Sequence, residues 1–331
     1  MSVELLNSLN SLSKRLTQYE EQESRSIVRL LLFDVFNLTL TDICCGALDA
    51  LSQEQTERLE RLMQRLEAGE PLQYVTGKSD FAGRSFHVEP GVLIPRPETE
   101  ELCGIVVSAM VSQTLGQGDA KGQEGEAGQT NGEEPLTILD IGTGSGCIAV
   151  TLALTLPHSN VTAWDVSPTA LNIARGNAER LGASVDFRLQ DALHSPADEG
   201  CWDVIVSNPP YICHKEKALI EPHVLDHEPH LALFVPDEEP LLFYQAIAQY
   251  ACKALRPQGL LAFEINPEYA EMTAEMLRGL NYDNITIHDD QFGKQRFITA
   301  KLRVETPERG DYETLAVSRS VMSGSTKLIE N

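Results

Sequence analysis

Leu136-Thr137-Ile138-Leu139-Asp140-Ile141-Gly142-Thr143-Gly144-Ser145-Gly146 joins a short apolar run to three alternating glycines, and the apolar stretch CIAVTLAL (147–154) follows at once. An uninterrupted apolar run of that length, ended by turn residues, reads as a buried strand, and the stretch after the turn reads as a helix from Cys147 to about Leu156. Glycines at such a turn let a ligand approach the backbone closely, and the helix start offers unpaired N–H groups. The same letters also suit a plain glycine-rich turn. They do not spell the dinucleotide fingerprint G-x-G-x-x-G, because position 147 is Cys147.

Further strand-like runs lie at VTAWDV (161–166), VDFRLQ (185–190), WDVIVS (202–207) and GLLAFEI (259–265), with ITIHDD and RFITAKL near the end. Helix-like stretches separate them at 168–181, about 240–255 and about 268–279. Such alternation implies a parallel sheet covered by helices on both faces. Asp165 ends the second strand, nineteen residues after Gly146, where a carboxylate can accept hydrogen bonds from both hydroxyls of a ribose. Asp191 comes just past the third strand, placed to meet the exocyclic amine of an adenine. A backbone cradle and two carboxylates at successive strand ends are the footprint of an adenosyl ligand without a pyrophosphate.

Residues 1 to about 70 read as helices only: Ile27, Leu30, Leu31, Val35 and Phe36 recur at helical spacing, as do Leu59, Leu62, Met63 and Leu66. Ser52 or Thr41 suits a helix N-cap, and Gly69 suits a stop. From Pro71 to Pro97 glycines punctuate short apolar runs such as Phe86-His87-Val88 and Val92-Leu93-Ile94, which reads as a β-hairpin joining two domains. A helix over 98–113 follows. The stretch 116–134 has no large apolar residue, so it reads as an exposed, flexible insertion, and the polar residues from 304 onward read as a loosely held tail.

A chain of 331 residues suggests two domains. No apolar run approaches a membrane span and the N-terminus lacks a signal-peptide core, so a cytoplasmic protein without membrane contact is expected. The formal charge of −23 disfavours free binding to nucleic acid. Seven scattered cysteines without a C-x-x-C pair suggest neither disulfides nor zinc, and read as small buried hydrophobes. His223, His227 and His230 have a spacing that gathers metal ligands only on a helix, which Pro222 and Pro229 interrupt.

The fourth strand runs into Val206-Ser207-Asn208-Pro209-Pro210-Tyr211, where two prolines stop the ladder and stiffen the loop beside the expected cofactor. DIGTGSG, Asp165 and NPPY in this order resemble class I S-adenosylmethionine-dependent methyltransferases acting on planar nitrogens. The resemblance implies that the Asn208 side-chain oxygen and the Pro209 carbonyl accept the two N–H groups of the target, that Pro210 and Tyr211 help bind it, and that Tyr211 packs on its planar group. NPPY alone does not choose between a nucleic-acid base and a protein amide.

PLQYVTGKSDFAGRSFHVEPGVLIPRPETEEL, with AWDVSPTALNIARGNAERLG, EPHLALF and the D-x-x-G-x-x-R of Asp290, Gly293 and Arg296, resembles the release-factor glutamine methyltransferases, the PrmC/HemK family, over about residues 20–302. That resemblance implies a Rossmann-like, mostly parallel seven-stranded sheet behind an N-terminal all-α domain. It divides the chain into a helical substrate-recognition domain at 1–75, a β-hairpin linker at 76–97 and a methyltransferase domain at 98–303. The implied substrate is the glutamine of the Gly-Gly-Gln loop in class-1 peptide chain release factors; separately, a monomer is expected. Gly142, Thr143, Gly144, Ser145, Gly146, Asp165, Asp191, Ala192 and Asn208 would hold S-adenosylmethionine; Arg96, Glu98 and Glu100 would line the substrate pocket or the cofactor site beside it, or make structural ion pairs. A ribosomal-protein glutamine, an rRNA base and a non-catalytic cofactor-sensing module are the alternative readings. Two departures stand out. Ala192 follows Asp191 where the family often has an aromatic residue, and Glu264-Ile265-Asn266 stands where it often has E-x-G.

Overall fold

Short helices come first in the computed structural model, which describes residues 9–118 and 134–303. The expected tail and all but the ends of the expected insertion lie outside them. A helical segment at 9–13 precedes α1 (Glu21–Phe36), α2 (Leu40–Cys44), α3 (Gln53–Glu67) and α4 (Leu72–Thr76). Ser52 caps α3 by reciprocal bonds with Gln55, and Thr39 caps α2 in the same way with Asp42. Thr41, the alternative cap in the sequence, lies inside α2. The apolar faces meet at Val28, Leu31, Leu32, Met63 and Leu66. Arg65 bonds the Glu70 carboxylate and the carbonyls of Tyr74 (3.0 Å) and Val75 (3.3 Å), fastening α3 to α4.

β1 (Lys78–Phe81) and β2 (Arg84–His87) form the hairpin, turning at Ala82-Gly83, both with positive φ as a tight hairpin turn requires. Val92-Leu93-Ile94 is not a strand: Val92 and Ile94 instead leave the hairpin to pack with Tyr74, Val88, Ala170 and Ile173. The next helix, α5 (Pro97–Gly118), runs past residue 113 into the stretch read as an insertion.

β3 (Leu136–Ile141), α6 (Cys147–Thr155), β4 (Ser159–Asp165), α7 (Pro168–Leu181), β5 (Val185–Leu189) and β6 (Trp202–Ser207) follow. A small excursion, β7 (Ile212–Cys213), α8 (Pro222–His227) and β8 (Phe234–Val235), precedes α9 (Leu242–Ala254), β9 (Leu255–Glu264), α10 (Ala270–Gly279), β10 (Tyr282–Asp289) and β11 (Gln295–Leu302). The seven-stranded sheet has the order β10-β11-β9-β6-β3-β4-β5. Only β11 is antiparallel to its neighbours. Ile247 of α9 and Leu277 of α10 pack on one face, Leu102 of α5 and Ile148 of α6 on the other. Burial on both faces explains why β3 and β6 are continuous apolar runs rather than alternating ones.

Among the described residues no helix is long and apolar enough to cross a membrane. Cys103, Cys147 and Cys213 are buried, as expected, but Cys44, Cys45 and Cys201 are exposed, because they fall at the end of a short helix and in a loop.

Gly146 lets α6 and α7 approach each other. Its φ is +83°, and a Cβ there would lie 3.0 Å from the Ala174 Cβ and 3.2 Å from its Cα. Gly142 also has a positive φ, but its Cβ position is open. Gly146→Ala is expected to cost roughly 2–5 kcal/mol, strain plus overpacking, and Gly142→Ala about 1–2 kcal/mol from strain alone. Urea denaturation of the two variants compares them, and equal losses would count against the Ala174 contact.

Candidate active site

Parallel pairing brings the C-terminal ends of β3, β4, β5, β6 and β9 to one edge of the sheet, with Ile141 level with Trp164 on one side and with Ser207 on the other. Gly142 and Thr143 both donate their N–H groups to the Trp164 carbonyl at 2.9 Å. The Asp165 carboxylate accepts from Gly144 N (2.9 Å) and Ser167 N (2.8 Å), so the glycine loop is pinned to the end of β4. Burial pushes the Asp165 carboxyl above its usual range against those backbone bonds. Asp191 accepts from Leu193 N (2.9 Å) and lies 2.7 Å from His194 Nδ1, a contact that holds its pKa down. Ala192 packs partly against the core, while Val166 and Leu193 beside the two carboxylates are exposed.

The residues present fit an adenosyl ligand. Open space lies over the Cβ positions of Gly142 and Gly144, and two buried polar atoms at the loop, Asp140 Oδ1 and Ser145 Oγ, have no hydrogen-bond partner among the described residues. The loops after β3, β4 and β5 carry no lysine or arginine, so they suit hydroxyls and an ammonium group rather than phosphates. Asn177 fixes the hairpin against this loop: its Nδ2 donates to Ser145 O and His87 O, both at 2.9 Å, and its Oδ1 accepts from His87 N at 2.7 Å.

Asn208 follows β6 directly. Its Nδ2 donates to Thr99 Oγ1 (3.2 Å), from the first turn of α5, and Thr99 in turn donates to Glu264 Oε2 (2.6 Å), at the end of β9. Tyr211 donates to the other oxygen, Glu264 Oε1, at 3.1 Å. Burial raises the Glu264 pKa, opposed by these hydroxyls and by Arg296 and reinforced by the nearby Glu98. Arg296 is itself held by the β10–β11 turn, where Asp290 accepts from Phe292 N and Lys294 N (both 2.9 Å) and from Arg296 Nε (3.5 Å). Asn266 donates to Tyr211 O (3.2 Å) and to the Glu216 carboxylate, clamping the loop after Pro210.

A pocket of about 320 Å³ opens in front of Asn208 and Tyr211, with Leu93, Ile220, Val224 and Leu233 as its apolar walls. Arg96 lines it and bonds Glu228 at 2.6 Å, a fully buried carboxylate that also accepts from Ile94 N at 3.0 Å. Glu98 is half-buried beside Glu264 and is not a lining residue, and Glu100 is likewise outside the lining. A larger cavity, about 670 Å³, lies between the hairpin and α7 and contains none of these groups. Of the histidines, His214 stacks on Phe234 and His230 meets the same ring edge-on, while His223 pairs with Glu221 and lies 6.5 Å from the Tyr19 ring of the helical domain. Among the described residues no group of three or more His, Cys, Asp or Glu side chains could hold a metal ion.

Thr99, Glu228 and the bonds of Glu264 went unremarked in the sequence. Their signal lay in letters already quoted, PETE and EPHLALF, but which letter touches which depends on chain segments far apart.

Known proteins resemble this chain in sequence. The family model described as Methyltransferase small domain matches residues 130–227, and the one described as PrmC N-terminal domain matches residues 7–77. The class is therefore that of S-adenosylmethionine-dependent methyltransferases of the class I fold. The chain is 43% identical over 283 residues to the Release factor glutamine methyltransferase of Bacteroides thetaiotaomicron, covering 85% of this chain and 94% of that one. It is 37% identical over 285 residues to that of Flavobacterium psychrophilum (86% and 94% covered) and 36% identical over 283 residues to that of Streptococcus pneumoniae (85% and 92% covered). The chain belongs to the release factor glutamine methyltransferase family.

Asp140 has a measurable signature of its own. It is fully buried at the end of β3, and burial lifts its pKa to about 7, against bonds from the Thr143 hydroxyl (2.6 Å) and Ala149 N (3.2 Å). A carboxyl whose pKa is raised on folding contributes stability that is full below its unfolded pKa and is lost as pH rises through the folded one. Asp140→Asn is thus expected to gain stability relative to the parent chain between about pH 4 and pH 7, with the difference level above pH 7. Thermal unfolding across that range without ligand measures it; a pH-independent difference would contradict the shift.

Proposed function

We propose that this protein transfers a methyl group from S-adenosylmethionine to the side-chain amide nitrogen of a glutamine, that of the Gly-Gly-Gln loop in class-1 peptide chain release factors. The carrying observation is the narrow pocket that ends on Asn208 and Tyr211, next to the glycine loop. Bound S-adenosylmethionine supplies a sulfonium methyl already activated for transfer. The loop from Gly142 to Gly146 would receive its amino-acid part in the open space over Gly142 and Gly144, Asp165 the ribose hydroxyls, and Asp191 with Ala192 the adenine. Val166 and Leu193 offer apolar surface at the same two strand ends. Asn208 lies between the two sites and borders both.

An amide nitrogen is a poor nucleophile because its lone pair is delocalised into the carbonyl. The Asn208 Oδ1 and the Pro209 carbonyl accept its two hydrogens, so that the lone pair is held toward the donor. Pro209 and Pro210 fix the backbone that carries these acceptors. Tyr211 borders the planar amide, with its phenol tied to Glu264, and Pro210 keeps that ring in place. As positive charge grows on the nitrogen, the acceptor dipoles are already oriented and need no reorganisation. The proton then lost from the methylated amide passes to water or along Asn208. Glycines before the glutamine make the loop slim enough for a pocket walled by Leu93, Val224 and Leu233, and the helical domain grips the release factor away from the reacting atom.

Incubation of unmethylated release factor with this protein and S-adenosylmethionine should add one methyl, about 14 Da, at the glutamine of Gly-Gly-Gln, located by peptide mass spectrometry. No addition despite bound cofactor would refute the substrate. Asn208→Ala should largely keep S-adenosylmethionine binding and lose roughly 10²-fold or more in turnover. Turnover near that of the parent chain would remove Asn208 from the reaction.

A further inference from the structure

We propose that Thr99 and Glu264 form a positioning relay that locks the Asn208 side-chain amide with its oxygen free for the target nitrogen. The catalytic value of this lock rests on the glutamine-methylating reading above; the lock itself rests on the hydrogen-bond chain. An asparagine amide carries an acceptor at one end and donors at the other, and half a turn exchanges them at little steric cost. Only the oxygen end can accept an N–H of the substrate, so something must choose between the two orientations.

The choice is made two bonds away. Both oxygens of Glu264 accept, Oε2 from the Thr99 hydroxyl at 2.6 Å and Oε1 from the Tyr211 phenol at 3.1 Å. Burial beside Glu264 pushes the Tyr211 phenol up, so it remains a donor. Thr99 has one proton, and it is committed to Glu264. Its remaining lone pairs face Asn208, where they accept from Nδ2 at 3.2 Å. The flipped amide would set two oxygens against each other and leave both unsatisfied in a place where Thr99 is 3% and Glu264 2% exposed. Burial and, less strongly, Glu98 oppose the charged form of Glu264, while the Thr99 and Tyr211 hydroxyls and Arg296 favour it. Thr99 is thus a positioning residue that does not touch the substrate, and Glu264 sets its polarity.

Two variants separate this role from packing. Thr99→Val keeps the shape and removes the hydroxyl; Thr99→Ser keeps the hydroxyl and drops a methyl. The lock predicts a kcat loss of roughly 10- to 100-fold for Val, with S-adenosylmethionine affinity by calorimetry unchanged, and activity within about 3-fold of the parent chain for Ser. Val close to the parent chain, or Ser as damaged as Val, overturns it. A second readout needs no substrate: the Asn208 side-chain NH2 in ¹⁵N NMR spectra, assigned with Asn208→Ala, should exchange slowly with water in the parent chain and in Ser but quickly in Val. If that pattern appears while the parent chain fails to methylate the release factor, the functional reading falls and the lock stands. Equal exchange in all three proteins overturns the lock whatever their activity.

Discussion

Because β3 runs parallel to β4 on one side and to β6 on the other, every loop leaving these strands opens on the same edge. Neighbouring strands lie about 4.8 Å apart, so the glycine loop, Asp165 and Asn208 are brought within one or two strand spacings by backbone pairing alone. No side-chain interaction has to hold these three features together. What the side chains add is orientation: Asp165 pins the glycine loop, Asn177 presses the hairpin onto it, and Glu264 ties α5, the loop after β6 and β9 at one point.

The sheet was legible because its strands are buried on both faces and therefore stand out as uninterrupted apolar runs ended by glycine, aspartate or proline. The same punctuation exposed the glycine loop and NPPY, since their chemistry resides in backbone geometry that only a few residue types permit. Val92-Leu93-Ile94 misled for a related reason. An apolar triplet after a hairpin looks like strand, yet these residues are apolar because Val92 and Ile94 pack under Tyr74 and against α7. The support around Asn208 was not legible at all. Thr99 meets Glu264 across 165 residues and Arg96 meets Glu228 across 132, and neither periodicity nor spacing carries information over such distances.

Asn266 shows how a departure from a family pattern can be absorbed. Its side chain joins the Tyr211 carbonyl to the Glu216 carboxylate and also accepts from Glu268 N, so it serves as a loop clamp and as the cap of the turn that follows β9. A residue without a side chain would leave those groups to water. The excursion that carries Glu216 continues to Glu221 and His223, which border the helical domain at Tyr19, so the pocket wall is braced from both ends.

The place of β11 in the sheet bears on the order in which the protein is built. This strand comes last among those described, yet it sits between β9 and β10. During synthesis the earlier strands must therefore wait with an open edge until residue 302 has been made, and β9 then receives its partner from the chain's far end. Arg296 arrives on that strand, so Glu264 meets its counter-charge only at this final insertion. A chain still emerging from the ribosome has the glycine loop and NPPY but lacks the finished site.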